Sequence, residues 1–149
     1  GIAFVIDTKI TAGICHARAP EATNEDLRGM AVENGILYDL IITIINKGQS
    51  EKVVEASKKA GARGGTIISG RGTGVHEHAK LFGITIEPEK EIVLTLIERE
   101  KTNEVLQTIV KEAGLDRPGK GIAFVVEVER VAGISHVLNK MVSEKLRRR

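Results

Sequence analysis

The strongest constraint on this chain is a phrase that it contains twice. Gly1-Ile2-Ala3-Phe4-Val5 recurs as Gly121-Ile122-Ala123-Phe124-Val125, an offset of 120 residues. The echo continues through Ala12-Gly13-Ile14 and His16, matched by Ala132-Gly133-Ile134 and His136, and Ile6-Asp7 becomes Val126-Glu127. An offset of that size is the length of one small domain, so it predicts tandem copies of a single unit. The first copy is represented by its last strand alone and the chain has no initiator Met, which predicts a segment cut from a longer two-copy protein. On this reading residues 1–16 carry the last strand of a preceding copy, 17–34 a linker, 35–136 a complete unit and 137–149 a C-terminal tail. An apolar strand left unpaired invites aggregation, so the strand at Gly1–Asp7 is expected to pair with a sheet edge or dock on a neighbouring subunit.

Within the complete unit the apolar pattern changes period in a regular order. Leu37 to Ile45 is β-branched and almost wholly apolar, the mark of a strand buried on both faces. Ser50 is placed to cap a helix running to Ala60, with Val53, Val54 and Ala60 on one face, and Gly61 stops it in a left-handed cap. Thr66-Ile67-Ile68 reads as a short strand, and Glu91 to Glu98 as a longer one after Pro88. Thr102 is placed to cap a second helix, apolar at Val105, Leu106, Ile109 and Val110 and ended by Gly114; Ile122 to Val128 is the last strand. The order is βαββαβ. It predicts an α+β, ferredoxin-like antiparallel sheet with two helices on one face, plus the additional N-terminal strand. In the linker, Thr23 and Asp26 sit as a weak capping box for one short helix.

Composition narrows the function. Aromatic residues are 3% of the chain and Trp is absent, which argues against platforms that stack nucleic-acid bases. The net charge is +2, and the basic run Arg147-Arg148-Arg149 reads as a solvated tail. A lone cysteine, Cys15, excludes an intramolecular disulfide. The apolar run Ile36–Ile45 is interrupted by Asp39 and too short to cross a bilayer, so no membrane insertion is expected and a cytoplasmic location is the default.

Few segments carry the residues that chemistry needs. Glycines are densest from Gly61 to Gly74; they read either as a phosphate cradle, with Arg71 adding charge, or as a bulged strand and loop entry. Pro118-Gly119-Lys120-Gly121 suits an oxyanion contact or, equally, a tight helix-to-strand turn. Val75 to Glu89 is long for a hairpin connection and is expected to be functional or mobile. Its His76-Glu77-His78 could hold a metal if a strand turned both rings to one side. His16 and His136 lack triad partners, and Cys15 is Ser135 in the other copy, so neither suggests catalysis. The other acidic residues read as solubilising charge, and with no acid–base pair the chain is not expected to be an enzyme.

Taken together, the βαββαβ order, the long segment after Gly72-Thr73-Gly74, the glycine turn Gly119-Lys120-Gly121 and the Ala123-Phe124-Val125 strand resemble the PII nitrogen-regulatory signal-transduction proteins. The resemblance covers about Leu37 to Ile134, with Gly1–His16 as the end of a preceding PII-like copy. It implies a homotrimer binding ATP or ADP, with AMP a further candidate, in clefts between subunits. The positions it carries over are Gly72, Thr73 and Gly74 at the base of the long loop, and Gly119, Lys120 and Gly121 in the second glycine loop. It also places Thr66 on the adenine side and Gly83 and Ile84 near the wall of the adenine pocket. Residues 75–89 would sense the ligand and engage a regulated partner protein. The chain departs from the family in ways that matter. Its one tyrosine, Tyr38, falls in a strand, which argues against uridylylation. His76 stands where the family's glutamine holds 2-oxoglutarate, and Ile122 follows the second loop glycine in place of a lysine. Ala132-Gly133-Ile134-Ser135 replaces the phosphate-gripping arginines, leaving Arg71 or Arg117 to compensate. Two rival readings remain: a metal-responsive trimer resembling the divalent-cation-tolerance proteins, with His76 and His78 as ligands, and an assembly module that binds no ligand.

Overall fold

A computed structural model describes residues 1–7, 36–72, 80–81, 84–85 and 88–133. In chain order the elements are β1 (Ala3–Val5), β2 (Tyr38–Asn46), α1 (Ser50–Lys59), β3 (Thr66–Arg71), β4 (Lys80–Leu81) and β5 (Ile84–Thr85). There follow β6 (Glu89–Glu98), a 3-10 turn at Arg99–Lys101, α2 (Thr102–Ala113), β7 (Gly121–Val128) and β8 (Arg130–Ala132). They fall into two compact units, one of Ile36–Glu127 and the other of Gly1–Gly35 with Val128–Arg149.

The larger unit is built on a four-stranded sheet in the order β3-β6-β2-β7. β6 runs antiparallel to both neighbours, with Tyr38 opposite Glu98, Asn46 opposite Lys90, Thr66 opposite Leu94 and Arg71 opposite Glu89. With one helix between β2 and β3 and another between β6 and β7, this is the expected ferredoxin-like α+β arrangement. Alternation along the strands sorts the faces. Ile41, Ile45, Val93 and Ile97 point to the helices and form one core with Val53, Ala56, Val105 and Ile109. Each Ile or Val so buried contributes roughly 1.5–3 kcal/mol. The neighbours between them, Ile42, Ile44, Ile92, Leu94 and Leu96, face the other way and are only half-buried, and Ile68 on β3 is 44% exposed. The sheet therefore has an apolar second face that no described helix of this unit covers.

The helix termini depart from the sequence expectation. Gln49, not Ser50, is the N-cap of α1, and no side chain on the helix caps it. The acceptor comes from the sheet: the Glu91 carboxylate accepts from the Ser50 amide at 2.9 Å. Likewise Lys101 precedes α2, and the Thr102 hydroxyl donates to Asp39 Oδ2 at 2.8 Å instead of capping its own helix. Asp39 is buried and is also held by Arg99 Nε at 3.0 Å, which pins the 3-10 turn to the start of β2. Glu91 and Asp39 are thus structural anchors, not solubilising charge. Gly114 does end α2 as expected, in the left-handed region at φ 67°.

β3 corrects the reading of the glycine-rich segment. The strand does not stop at Ile68 but continues through Ser69, Gly70 and Arg71 in unbroken register with β6. The middle of the supposed phosphate cradle, Thr66–Arg71, is therefore regular sheet. The long connection after it contains a two-strand hairpin, β4 with β5, pairing Lys80 with Thr85 and Leu81 with Ile84. In the smaller unit β1 pairs antiparallel with β8, placing Phe4 opposite Val131, and the Glu129 amide donates to the Val5 carbonyl at 2.9 Å. The strand at the repeated phrase thus finds a partner, in a separate two-stranded sheet.

Candidate functional site

The candidate residues gather at one end of the larger sheet because antiparallel pairing brings unlike strand termini together. β2 and β3 end there, and β6 and β7 begin there. Arg71, exposed, is the last residue of β3, and the Gly72 amide donates to the Pro88 carbonyl at 3.2 Å, closing the base of the long connection. At the far edge the α2–β7 connection forms a double turn, with Arg117 N donating to Gly114 O at 3.1 Å and Lys120 N to Arg117 O at 3.3 Å. Gly119 and Lys120 are exposed within it.

Gly121 opens β7 at φ 136°, and a Cβ there would lie 2.3 Å from the Ile44 carbonyl oxygen. Only glycine permits this approach of β7 to β2. The turn is tied to the sheet by Asn46, whose Nδ2 donates to the Gly119 carbonyl at 3.2 Å.

Charge at this end is organised by the strand that returns from the long connection. The Lys47 ammonium pairs with Glu89. That hydrogen bond and charge hold the Glu89 carboxyl below its ordinary range, helped by Arg71. Lys90 Nζ donates to Asn46 Oδ1 at 2.6 Å. Glu91 is lowered as well, by hydrogen bonds from the Ser50 hydroxyl and from the Gly48, Ser50 and Gln49 amides. The N-terminus of α1, a natural anion site, is therefore already filled by the protein's own carboxylate. An external anion at this end would meet Arg71, Lys120 and the glycine turn instead.

The residues expected to form a site are not all brought together within one chain. Arg71, Gly72, Gly119, Lys120 and Gly121 share the sheet end. Gly72 and the glycine turn lie across three strand spacings, about 14 Å. Thr66 is exposed at the opposite end of β3, about 20 Å along the strand from Gly72 at ordinary strand rise. Ile84 lies on β5. Thr73, Gly74, Gly83, His76 and His78 lie outside the described residues, and among those described no three metal-ligating side chains cluster. No described helix is long and apolar enough to cross a membrane. Sequence reasoning missed Asn46, Lys47, Glu89 and Lys90. Their one signal was polar punctuation at strand ends, and their contacts join residues more than 40 positions apart.

The model of the family described as nitrogen regulatory protein P-II matches residues 38–136. Among solved structures the chain is similar to Arabidopsis thaliana PII bound to citrate, at 23% identity and a TM-score of 0.48, over 61% of this chain and 77% of that one. Among curated proteins no sequence matches.

Proposed function

The chain belongs to the nitrogen regulatory protein P-II family, and from that premise we propose that it is a regulatory protein, not an enzyme, acting as a homotrimer in the cytoplasm. Each cleft between subunits takes one adenine nucleotide, ATP, ADP or AMP. One chain supplies Arg71, Gly72–Gly74 and Gly119–Gly121 around the phosphates. A neighbour supplies Thr66 on the adenine side, and Gly83 and Ile84 line the pocket wall. Binding reorders residues 75–89, which engage the regulated partner protein through the difference between the two loop states.

The observation that carries this reading is the separation of its parts. Thr66 lies about 20 Å along β3 from Gly72, so all of these residues surround one ligand only when a second chain contributes. The half-covered apolar face of Ile42, Ile44, Ile92 and Leu94 supports association, because an exposed apolar sheet face favours burial against another copy. The exposed Arg71 and Lys120 supply positive charge for an anion where α1 cannot.

Titration calorimetry with ATP, ADP and AMP, beside sedimentation of the same sample, tests the proposal. It expects a trimer that binds at least one of the three with one site per chain. A trimer that gives no heat with any of them contradicts it.

A further inference from the structure

The smaller sheet pairs a strand with the segment that follows the strand's own duplicate. β1 lies antiparallel to β8, with Ala3 opposite Ala132, Phe4 opposite Val131 and Val5 opposite Arg130. The phrase that contains β1 recurs as Gly121–Val125 at the start of β7, and only Glu129 separates β7 from β8. Written on the second occurrence, the register sets Ala123 opposite Ala132, Phe124 opposite Val131 and Val125 opposite Arg130. Both members of every pair then belong to one stretch, residues 121–133. Such a register is self-complementary: Phe124 of one copy meets Val131 of another, and Val131 of the first meets Phe124 of the second. The result is two ladders about a two-fold axis, which is a closed, isologous contact.

The edge that this pairing requires is open and suited to it. β7 is an outer strand of the main sheet, with β2 on one side and no described strand on the other. From Gly121 to Val126 it has neither charge nor proline, the devices that protect natural sheet edges. Ile122 is 59% exposed and Phe124 is 43% exposed. Charge agrees as well. No pair of the transferred register sets like charges opposite each other, and Glu127, two residues past Val125 on the same face, falls diagonal to Arg130 of the second copy. Backbone shape is the last requirement. Gly133 lies at φ 93° against Gly1, and a Cβ on it would run into the Gly1 carbonyl oxygen. Glycine at 121 repeats that bare backbone on the second occurrence.

We propose that residues 121–133 form a self-complementary edge through which two copies of this chain pair, and that β1 is the in-chain counterpart that occupies β8 and restrains this pairing. β1 competes well because it is tethered to β8 in one chain, which gives it a high effective concentration. β7 offers the identical phrase already straightened in a four-stranded sheet, so it loses little freedom on pairing. With β1 blocked, β8 pairs with β7 of a second chain. The contact needs no nucleotide.

Disulfide trapping in the full chain, with Cys15→Ser to remove the native thiol, decides it. β1 is blocked by Phe4→Pro or, independently, by Val5→Pro; neither touches a strand of the main sheet, and helix content is held to the wild-type value by circular dichroism. In each blocked background Phe124→Cys and Val131→Cys are made in separate chains, mixed and oxidised. Opposite residues of antiparallel strands lie about 4.5–5.5 Å apart between Cα atoms, within disulfide reach. The mixture is expected to form at least about tenfold more covalent dimer than either variant alone, or than the same mixture with β1 intact. Val125→Cys mixed with Val131→Cys, one residue out of register and on opposite faces, is expected to stay at the level of the single variants. One chain carrying both Phe124→Cys and Val131→Cys is expected to stop at a dimer, because a two-fold contact closes. Absence of covalent dimer in both blocked backgrounds overturns the proposal, and so does equal trapping through Val125→Cys. A series of trimers and larger species from the double-cysteine chain overturns the two-fold pairing. Trapping that is the same with β1 intact overturns the restraint by β1.

Discussion

At the scale of single residues, this molecule places polar groups where a composition count would not put them. Thr43 and Thr95 are fully buried on the helix-facing side of the sheet, and neither hydroxyl has a hydrogen-bond partner. A buried hydroxyl without a partner loses its hydration for nothing, so Thr43→Val and Thr95→Val are each expected to stabilise the fold by about 1 kcal/mol. Urea unfolding midpoints measure this, and a loss of stability in both would show that the hydroxyls are satisfied. Asp39 is the opposite case, buried and held by Arg99 and Thr102. Removing it with Asp39→Ala is expected to cost about 2 kcal/mol by the same measurement, because it leaves the Arg99–Thr102 corner without its acceptor. Glu91 gives the pH dependence. Its folded pKa lies below the ordinary 4.5 because of the Ser50, Gly48 and Gln49 donors. A depressed carboxyl pKa contributes stability above the ordinary value, and that contribution is lost as pH falls through the folded pKa. Glu91→Gln should therefore destabilise at neutral pH and flatten the decline of Tm below pH 4.5; a mutant curve parallel to the wild type would assign the acid transition to other groups.

At the scale of elements, the repeated phrase and the two periodicities placed β1, the four strands of the main sheet and both described helices, because apolar spacing is local information, but not the short strands β4, β5 and β8. Leu37–Ile45 and Glu91–Glu98 appear as β2 and β6 within a few residues, and both helices end near the expected glycines. The termini were read less well for a physical reason. The donors and acceptors that finish α1 and α2 come from β6 and β2, tens of residues away, so local capping rules named Ser50 and Thr102 as caps when Glu91 and Asp39 are their partners. Gly70 illustrates the same limit. Within Gly-rich sequence it reads as a loop, yet in the structure it sits opposite Lys90 in a regular strand. Two positive-φ glycines differ in whether the group that a Cβ would meet can give way. Gly114, at φ 67°, would lose about 1 kcal/mol as Gly114→Ala through the left-handed cap, because the one group its Cβ would crowd, the Arg117 guanidinium with Nη2 at 2.3 Å, is the end of an exposed side chain that can move away. Gly121→Ala meets the Ile44 carbonyl oxygen at 2.3 Å and cannot be relieved by a side-chain movement. It is expected to cost at least twice as much as Gly114→Ala and to expose the amides of β7 to exchange; equal costs would mean that β7 moves aside freely.

At the scale of the whole molecule, what the sequence carries least well is what lies between chains. The glycine turn and the base of the long connection could be named from sequence, but their shared sheet end, and the distance of Thr66 from it, depend on strand order and register. The open apolar face is of the same kind, since Ile42 and Ile44 belong to a strand that reads as buried on both faces and are, with Ile92 and Leu94, only half-buried in one chain. Leu94→Glu on that face is accordingly expected to dissociate the proposed trimer to monomer in sedimentation, with helix content retained. The central claim, a nucleotide held by two chains at once, is tested most directly by complementation. Thr66→Arg blocks the adenine side and Lys120→Glu repels the phosphates, so neither variant alone should bind ADP. In mixed trimers, refolded together, a cleft that takes Thr66 from the Lys120→Glu chain and Lys120 from the Thr66→Arg chain is intact. The account predicts that calorimetry of the mixture recovers ADP binding with the wild-type Kd in a fraction of the clefts. A mixture that binds no better than either variant alone would contradict it.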